Sequence, residues 1–179
     1  LPKPGFLEGL RKITEDYGSL LIFDEVITGF RLGYSGAQGY YNVLPDMTTM
    51  GKIIGGGMPL AAYGGREEMM EQVAPYGPVY QAGTLSGNPA AVAAGIKTLE
   101  ILKNHPEIYV RAESQAAKLE KAFLENIKKY DVAAVCNRIG SLMSIFFTKQ
   151  PVTDYSSAAS SDLKRFKEYF AAMLAGGIY

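Results

Sequence analysis

The sequence of 179 residues holds one cysteine, Cys136, one histidine, His105, and no tryptophan. A lone cysteine excludes an intrachain disulfide and the cysteine-rich zinc patterns, and it suits a reducing compartment, the cytoplasm. A lone histidine excludes a histidine-based metal site and argues against a Ser-His triad. Beside Pro106, at a helix end, it reads as a capping or surface residue. Charge of one sign is not in surplus: 18 basic residues balance 18 acidic ones, so nothing draws the chain to nucleic acid or an anionic membrane. No apolar run reaches the roughly 18–20 residues of a membrane span, and no signal peptide opens the chain.

Nucleotide-binding glycine signatures are missing as well. A P-loop requires glycine five residues before its Gly-Lys pair and Ser or Thr after it. Here Asp46 stands five before Gly51, and Ile53 follows Lys52. No G-x-G-x-x-G occurs.

What is present is ordinary soluble-protein material, 47% hydrophobic and 20% charged, enough for one sizeable core or parts of two domains. The chain starts at Leu1 within "LPKPGF" and stops at "GGIY", where a strand is expected to begin; this reads as a segment of a longer polypeptide. Residues 6–17 place Phe6, Leu7, Leu10 and Ile13 on one helical face, ending at Gly18. "LLIFDEV" (20–26) reads as a short strand covered on both faces, and a helix before such a strand suggests α/β architecture with a parallel sheet. Residues 29–46 read as a long connection, and "MTTMGK" and "LAAYGG" as short strands flanking Gly55–Gly57. A short helix is expected over 66–73. A longer one starts at Ser86 or Asn88 with Pro89 in its first turn and ends before Pro106. Beyond it the pattern predicts a helix over 107–129, two strands within 132–148 around Gly140, and a helix over 161–175. This divides the chain into 1–105, part of an α/β domain, and 106–179, part of a smaller α+β domain.

Two stretches carry chemistry. In "DEVITGFR" an acidic pair ends an apolar strand, where buried carboxylates need partners to offset desolvation. Asp24 and Val26 share a face, because strand side chains alternate. An anion with an apolar neighbour two residues on suits a flat, protonated heteroaromatic ring, although an acidic pair in a surface turn is the ordinary alternative. In "MGKIIGGG", Lys52 stands between a strand and glycines that allow close backbone approach. It is either a solvated loop lysine or a desolvated amine able to form a Schiff base. A carboxylate on a pyridinium nitrogen plus a Schiff-base lysine is what pyridoxal phosphate chemistry requires.

"LLIFDEVITGFR", "PDMTTMGKIIGGGMPLAAYGG" and "GPVYQAGTLSGNPAAVAAG" together resemble class III pyridoxal-phosphate enzymes of fold type I. The strings "GAQGYYNVLPDMTT" and "GPVYQAGTLSGNP" resemble its aminomutase branch, which acts on glutamate-1-semialdehyde. The likeness is dense over 4–103 and thinner beyond. The resemblance implies the C-terminal part of the large, coenzyme-binding domain over 1–105 and a partial small domain over 106–179. It implies pyridoxal 5′-phosphate as cofactor, cycling through pyridoxamine 5′-phosphate, with Asp24 on the pyridine nitrogen, Val26 against the ring and Lys52 as the Schiff-base lysine. Thr84 resembles the threonine that contacts the phosphate in the neighbouring subunit of a homodimer. Ile27 stands where Met or Gln is common. The phosphate cup, ring-stacking aromatic and gating loop of the family are expected outside these residues.

The implied reaction is an intramolecular amino transfer that converts glutamate-1-semialdehyde to 5-aminolevulinate for porphyrin synthesis. The alternatives are an ω-aminotransferase with a separate keto-acid acceptor and a non-catalytic relative that keeps the fold as an interaction module.

Overall fold

The computed structural model describes Leu1–Tyr179, whose contacts divide into two units, Lys3–Val110 and Arg111–Tyr179 with Leu1–Pro2. No helix is long and apolar enough to cross a membrane.

The first unit opens with helix α1 (Phe6–Asp16), entered through Gly5 in the left-handed region and followed by Tyr17 and Gly18. Its packed side differs from the expected one. Leu7, Leu10, Arg11 and Thr14 are half-buried, whereas Phe6 and Ile13 remain exposed. The cause is electrostatic: Arg11 reaches the buried carboxylate of Asp46 at 3.0 Å and the carbonyl of Leu44 at 3.3 Å, which turns that stripe inward.

Strand β1 (Ile22–Glu25) pairs in parallel with β2 (Met47–Met50), and β2 pairs antiparallel with β3 (Ala62–Gly65), giving the order β1-β2-β3. The expected parallel sheet is thus half realised among these strands. The β2–β3 link is a short 3-10 turn, Lys52–Gly55, with a loop, too short to carry the chain back for a parallel pairing. Nor is β1 covered on both faces: Leu21 and Glu25 are buried on one side, while Ile22 and Asp24 are exposed on the other. No further strand of residues 1–179 pairs with the free edge of β1.

The connection over 29–46 is not wholly irregular, because it contains helix α2 (Gly36–Tyr41). After β3, helix α3 (Glu67–Met70) leads into an irregular segment and then α4 (Pro89–Asn104). Asn88 caps α4, its Oδ1 accepting the N–H groups of Ala90 and Ala91 at 3.1 Å, with Pro89 at the first helical position. Gly95 lets α4 lie directly on the 3-10 turn, since a Cβ there would fall 2.8 Å from the Ile54 carbonyl oxygen and 2.5 Å from Leu60 Cδ2. Ala91 and Ile54 are buried in this contact region. His105 closes α4 and is exposed, pairing its Nδ1 with Glu107 at 2.9 Å.

Helix α5 (Glu107–Lys129) runs across the division between the units. In the second unit, β4 (Val135–Ile139) and β5 (Leu142–Phe146) form a hairpin turning at Gly140, followed by α6 (Tyr155–Ala159) and α7 (Leu163–Ala175). Arg138 on β4 ties to α5 through Glu120 at 2.6 Å, and Phe123, Phe147 and Phe166 gather around Tyr169. The last residues, Ile178–Tyr179, are in no strand.

Candidate active site at the ends of the parallel strands

The parallel register sets Asp24 beside Thr49, and the antiparallel one sets Thr49 beside Tyr63, so the three form a row across the sheet. Beyond this row both parallel strands reach their carboxyl ends, the edge at which open α/β sheets bind ligands. The chain leaves β1 through Val26 and β2 through Gly51 and Lys52.

Asp24 is exposed and its Oδ1 accepts the Val26 N–H at 3.0 Å, which fixes the carboxylate against its own strand end. Gly51 is buried against Val26, where a Cβ would lie 3.3 Å from Val26 Cγ1; this contact joins the ends of β1 and β2. Lys52, next in sequence, is exposed and takes a φ of 50°, in the left-handed region that non-glycine residues visit rarely and at some cost. The lysine is held there by the 3-10 turn it begins, which α4 packs upon.

A cavity of about 790 Å³ opens at this edge, lined by Val26, Thr49, Met50, Tyr63, Gln81, Gly83, Leu85 and Ser86 among others. Of the four residues singled out in the sequence, Val26 alone lines it. Thr84 is exposed in the turn between Gly83 and Leu85, whose flanks form one wall. The fold therefore brings Asp24, Val26 and Lys52 to one sheet edge, and the neighbours of Thr84, Gly83 and Leu85, line the same cavity as Val26.

The buried carboxylates are different ones from that which the sequence emphasised. Glu25, 1% exposed, faces the side opposite Asp24 and accepts from Thr28 Oγ1 at 3.0 Å, Ala37 N at 2.6 Å, Gln38 N at 2.9 Å and Gln38 Nε2 at 3.2 Å. Two of these donors are free N–H groups of the first turn of α2, whose partial positive charge favours an anion. Gly36 starts this turn with a φ of 63°, and a Cβ there would overlap the Glu25 carboxylate.

Asp46, 5% exposed, is the second buried carboxylate. It accepts the Leu21 N–H at 2.7 Å and pairs with Arg11 and Arg66, both at 3.0 Å. The Leu21 N–H and then Arg11 pull its pKa below the usual carboxylate range, to about 2. Arg66 also pairs with Glu68. Sequence reasoning missed both clusters. The signal for Glu25 was the strand alternation itself, which sets Leu21, Phe23 and Glu25 on one face and Ile22, Asp24 and Val26 on the other.

The family profile described as aminotransferase class-III matches residues 1–179. The chain belongs to the class-III aminotransferase family. Among curated relatives, it is 60% identical over 178 residues to glutamate-1-semialdehyde 2,1-aminomutase of Pelotomaculum thermopropionicum, covering 99% of this chain and 41% of the relative. It is 56% identical to the protein of the same name from Thermosipho africanus, covering 99% of this chain and 42% of that one. The chain thus spans about two fifths of the length of these relatives. Among solved structures, the β-phenylalanine aminotransferase of Variovorax paradoxus superposes with a TM-score of 0.84 at 32% identity, covering 99% of this chain and 41% of that one. A glutamate-1-semialdehyde aminomutase of Pseudomonas aeruginosa PAO1, solved in complex with PMP, gives 0.77 at 28%, covering 90% and 37%. The mixed α/β architecture is that of the class-III aminotransferases, of which these residues form a part.

Proposed function

We propose that this chain is the lysine-bearing part of a longer cytoplasmic enzyme that converts glutamate-1-semialdehyde to 5-aminolevulinate by intramolecular amino transfer, for porphyrin synthesis. The observation that carries this reading is sequence identity over the whole chain, 60% and 56% to relatives named for that aminomutase. Structural similarity does not separate the aminomutase from aminotransferases, since both superpose well. An ω-aminotransferase is therefore the second reading, favoured by the 35% identity to an ω-transaminase of Sphaerobacter thermophilus.

The residues present fit pyridoxal 5′-phosphate. A carboxylate stands on β1 with an apolar side chain just past the strand's end, a primary amine lies two residues after β2, and the contact of Gly51 with Val26 holds the two strand ends together. Asp24 would hold the proton on the pyridine nitrogen, Val26 would pack on the ring face, and Lys52 would hold the aldehyde carbon. When bound, the coenzyme supplies an electron sink for the carbanion formed as a C–H bond breaks. Lys52 Nζ would take and return that proton. The exposed Thr84 turn would serve the phosphate site of a second subunit in a homodimer.

The test is to supply the full-length enzyme with glutamate-1-semialdehyde and no keto acid. Formation of 5-aminolevulinate over many turnovers supports the aminomutase. A stall after about one turnover, relieved by a keto acid, assigns the ω-aminotransferase instead.

A further inference from the structure

Asp24 has to present its carboxylate in a fixed place to be of use to a ring nitrogen, yet its own side chain is exposed and bound only locally, at the Val26 N–H. What holds the backbone under it is on the other face. Glu25 is the largest fully buried side chain of the chain, and its carboxylate gathers Thr28, Ala37 and Gln38 onto the end of β1. The amide of Gln38 reaches onward to Thr48 Oγ1 on β2 at 3.3 Å, so the clamp spans both parallel strands. The Glu25 carbonyl also accepts the Gly29 N–H at 2.8 Å, fastening the turn that follows Val26. One residue thus joins β1, the following turn, α2 and β2 within one step of Asp24 and Val26.

We infer that Glu25 is a positioning residue for the coenzyme site: its buried carboxylate fixes the β1 end so that Asp24 and Val26 meet the ring in one orientation. This rests on the coenzyme reading of Asp24, Val26 and Lys52 given above. The chemistry requires a charged acceptor with reach. Backbone N–H donors of Ala37 and Gln38 both point at it, so an amide in its place would set an NH₂ group against a donor. Ionised acceptors also make stronger bonds to N–H groups than neutral ones.

The test uses the full-length enzyme loaded with pyridoxal 5′-phosphate, comparing Glu25→Gln, Gln38→Leu and Asp24→Asn with the wild type. The readouts are coenzyme content, visible circular dichroism of the bound coenzyme, kcat, KM and thermal midpoint. In Glu25→Gln the visible ellipticity per bound coenzyme falls at least two-fold and kcat falls about ten-fold or more, with KM within two-fold. Gln38→Leu, which deletes one side-chain donor and leaves the backbone donors, shows a smaller change of the same sign and keeps the inference testable if Glu25→Gln does not fold. Wild-type ellipticity and kcat in both Glu25→Gln and Gln38→Leu, or in Gln38→Leu alone where the other does not fold, overturn the inference, whatever the thermal midpoint does. A wild-type enzyme with no visible coenzyme band overturns the coenzyme reading itself, and the inference with it; the two failures are therefore distinct.

Discussion

Asp24 and Glu25 are adjacent in one strand, yet their carboxylates lie on opposite faces of the sheet and in opposite environments. Asp24 is exposed at the edge where Lys52 emerges, while Glu25 is 1% exposed and clamped by donors from the α2 turn. The pleat separates them: successive side chains of a strand point to opposite sides. The same two-residue motif thereby presents one carboxylate at the exposed sheet edge and buries the other in the fold.

Lys52 is the amine expected to bond the coenzyme. Borohydride reduction of the full-length loaded enzyme should fix the label to the peptide containing Lys52, as peptide mass mapping would read. A label on Lys97, Lys103 or any other lysine would displace Lys52 from its role.

Asp24→Asn should lower kcat by about 10²-fold or more while coenzyme content stays near the wild-type value, because an electron sink depends on a protonated ring nitrogen whereas retention depends chiefly on the phosphate. Turnover assays beside the visible spectrum separate the two. Full activity in this variant would remove the carboxylate from the mechanism.

Mixed dimers offer a check on Thr84. If its turn serves the neighbouring subunit, Lys52→Ala and Thr84→Ala fall in the same site for one pairing and leave the other site intact. Co-expression of differently tagged subunits should then restore activity toward half that of the wild type. Hybrids that remain at the level of the inactive parents contradict a shared site.

Asp46 sets an acid limit on stability. Its folded pKa, about 2, lies below the ordinary 3.8, so its contribution is fully present above about pH 4 and is lost as pH falls through about 2. Asp46→Asn removes the charge between Arg11 and Arg66 and should cost on the order of 2 kcal/mol at neutral pH, less at acid pH. Urea melts at pH 7 and pH 3 would measure both. A difference between variant and wild type that does not shrink toward pH 3 would refute the assignment.

Residues 1–179 expressed alone should show no turnover and a tendency to associate. The free edge of β1 exposes unpaired backbone groups, and Leu20 and Ile22 lie exposed beside it. Analytical ultracentrifugation and an activity assay would decide; a monodisperse, active segment would contradict this.

The element boundaries were legible where local signals are strong. Ser86 or Asn88 before Pro89 marked the start of α4, where Asn88 proves to be the cap, Gly140 marked the β4–β5 turn, and the 3.6-residue pattern the long α5. The sequence also sufficed to pick out "DEV" and "MGK", because an acid after an apolar strand and a lysine before a glycine run are unusual. It did not show which acid is buried. Both faces of 20–26 carry apolar residues, so the pattern implied burial on each side, whereas Ile22 and Asp24 are exposed in these 179 residues. The side of α1 that packs was likewise hidden, because the pull of Asp46 on Arg11 acts between residues 35 apart in sequence and outweighs the apolar stripe through Phe6 and Ile13.

By itself the sequence determined the family, the order of the longer helices and of the strands up to β5, and the motifs around Asp24 and Lys52, since these follow from local periodicity, capping and contiguous motifs, whereas the short helices α2 and α6 were not legible in it. Tertiary structure alone decided that Asp24, Val26 and Lys52 meet at one edge, through the parallel register of β1 on β2 and the contact of Gly51 with Val26. It alone decided that Glu25 turns inward to the α2 N–H groups and Asp46 to two arginines. The reason is physical: a buried carboxylate is stable only where donors converge on it, and apart from Thr28 those donors are contributed by segments 12 to 35 residues away along the chain.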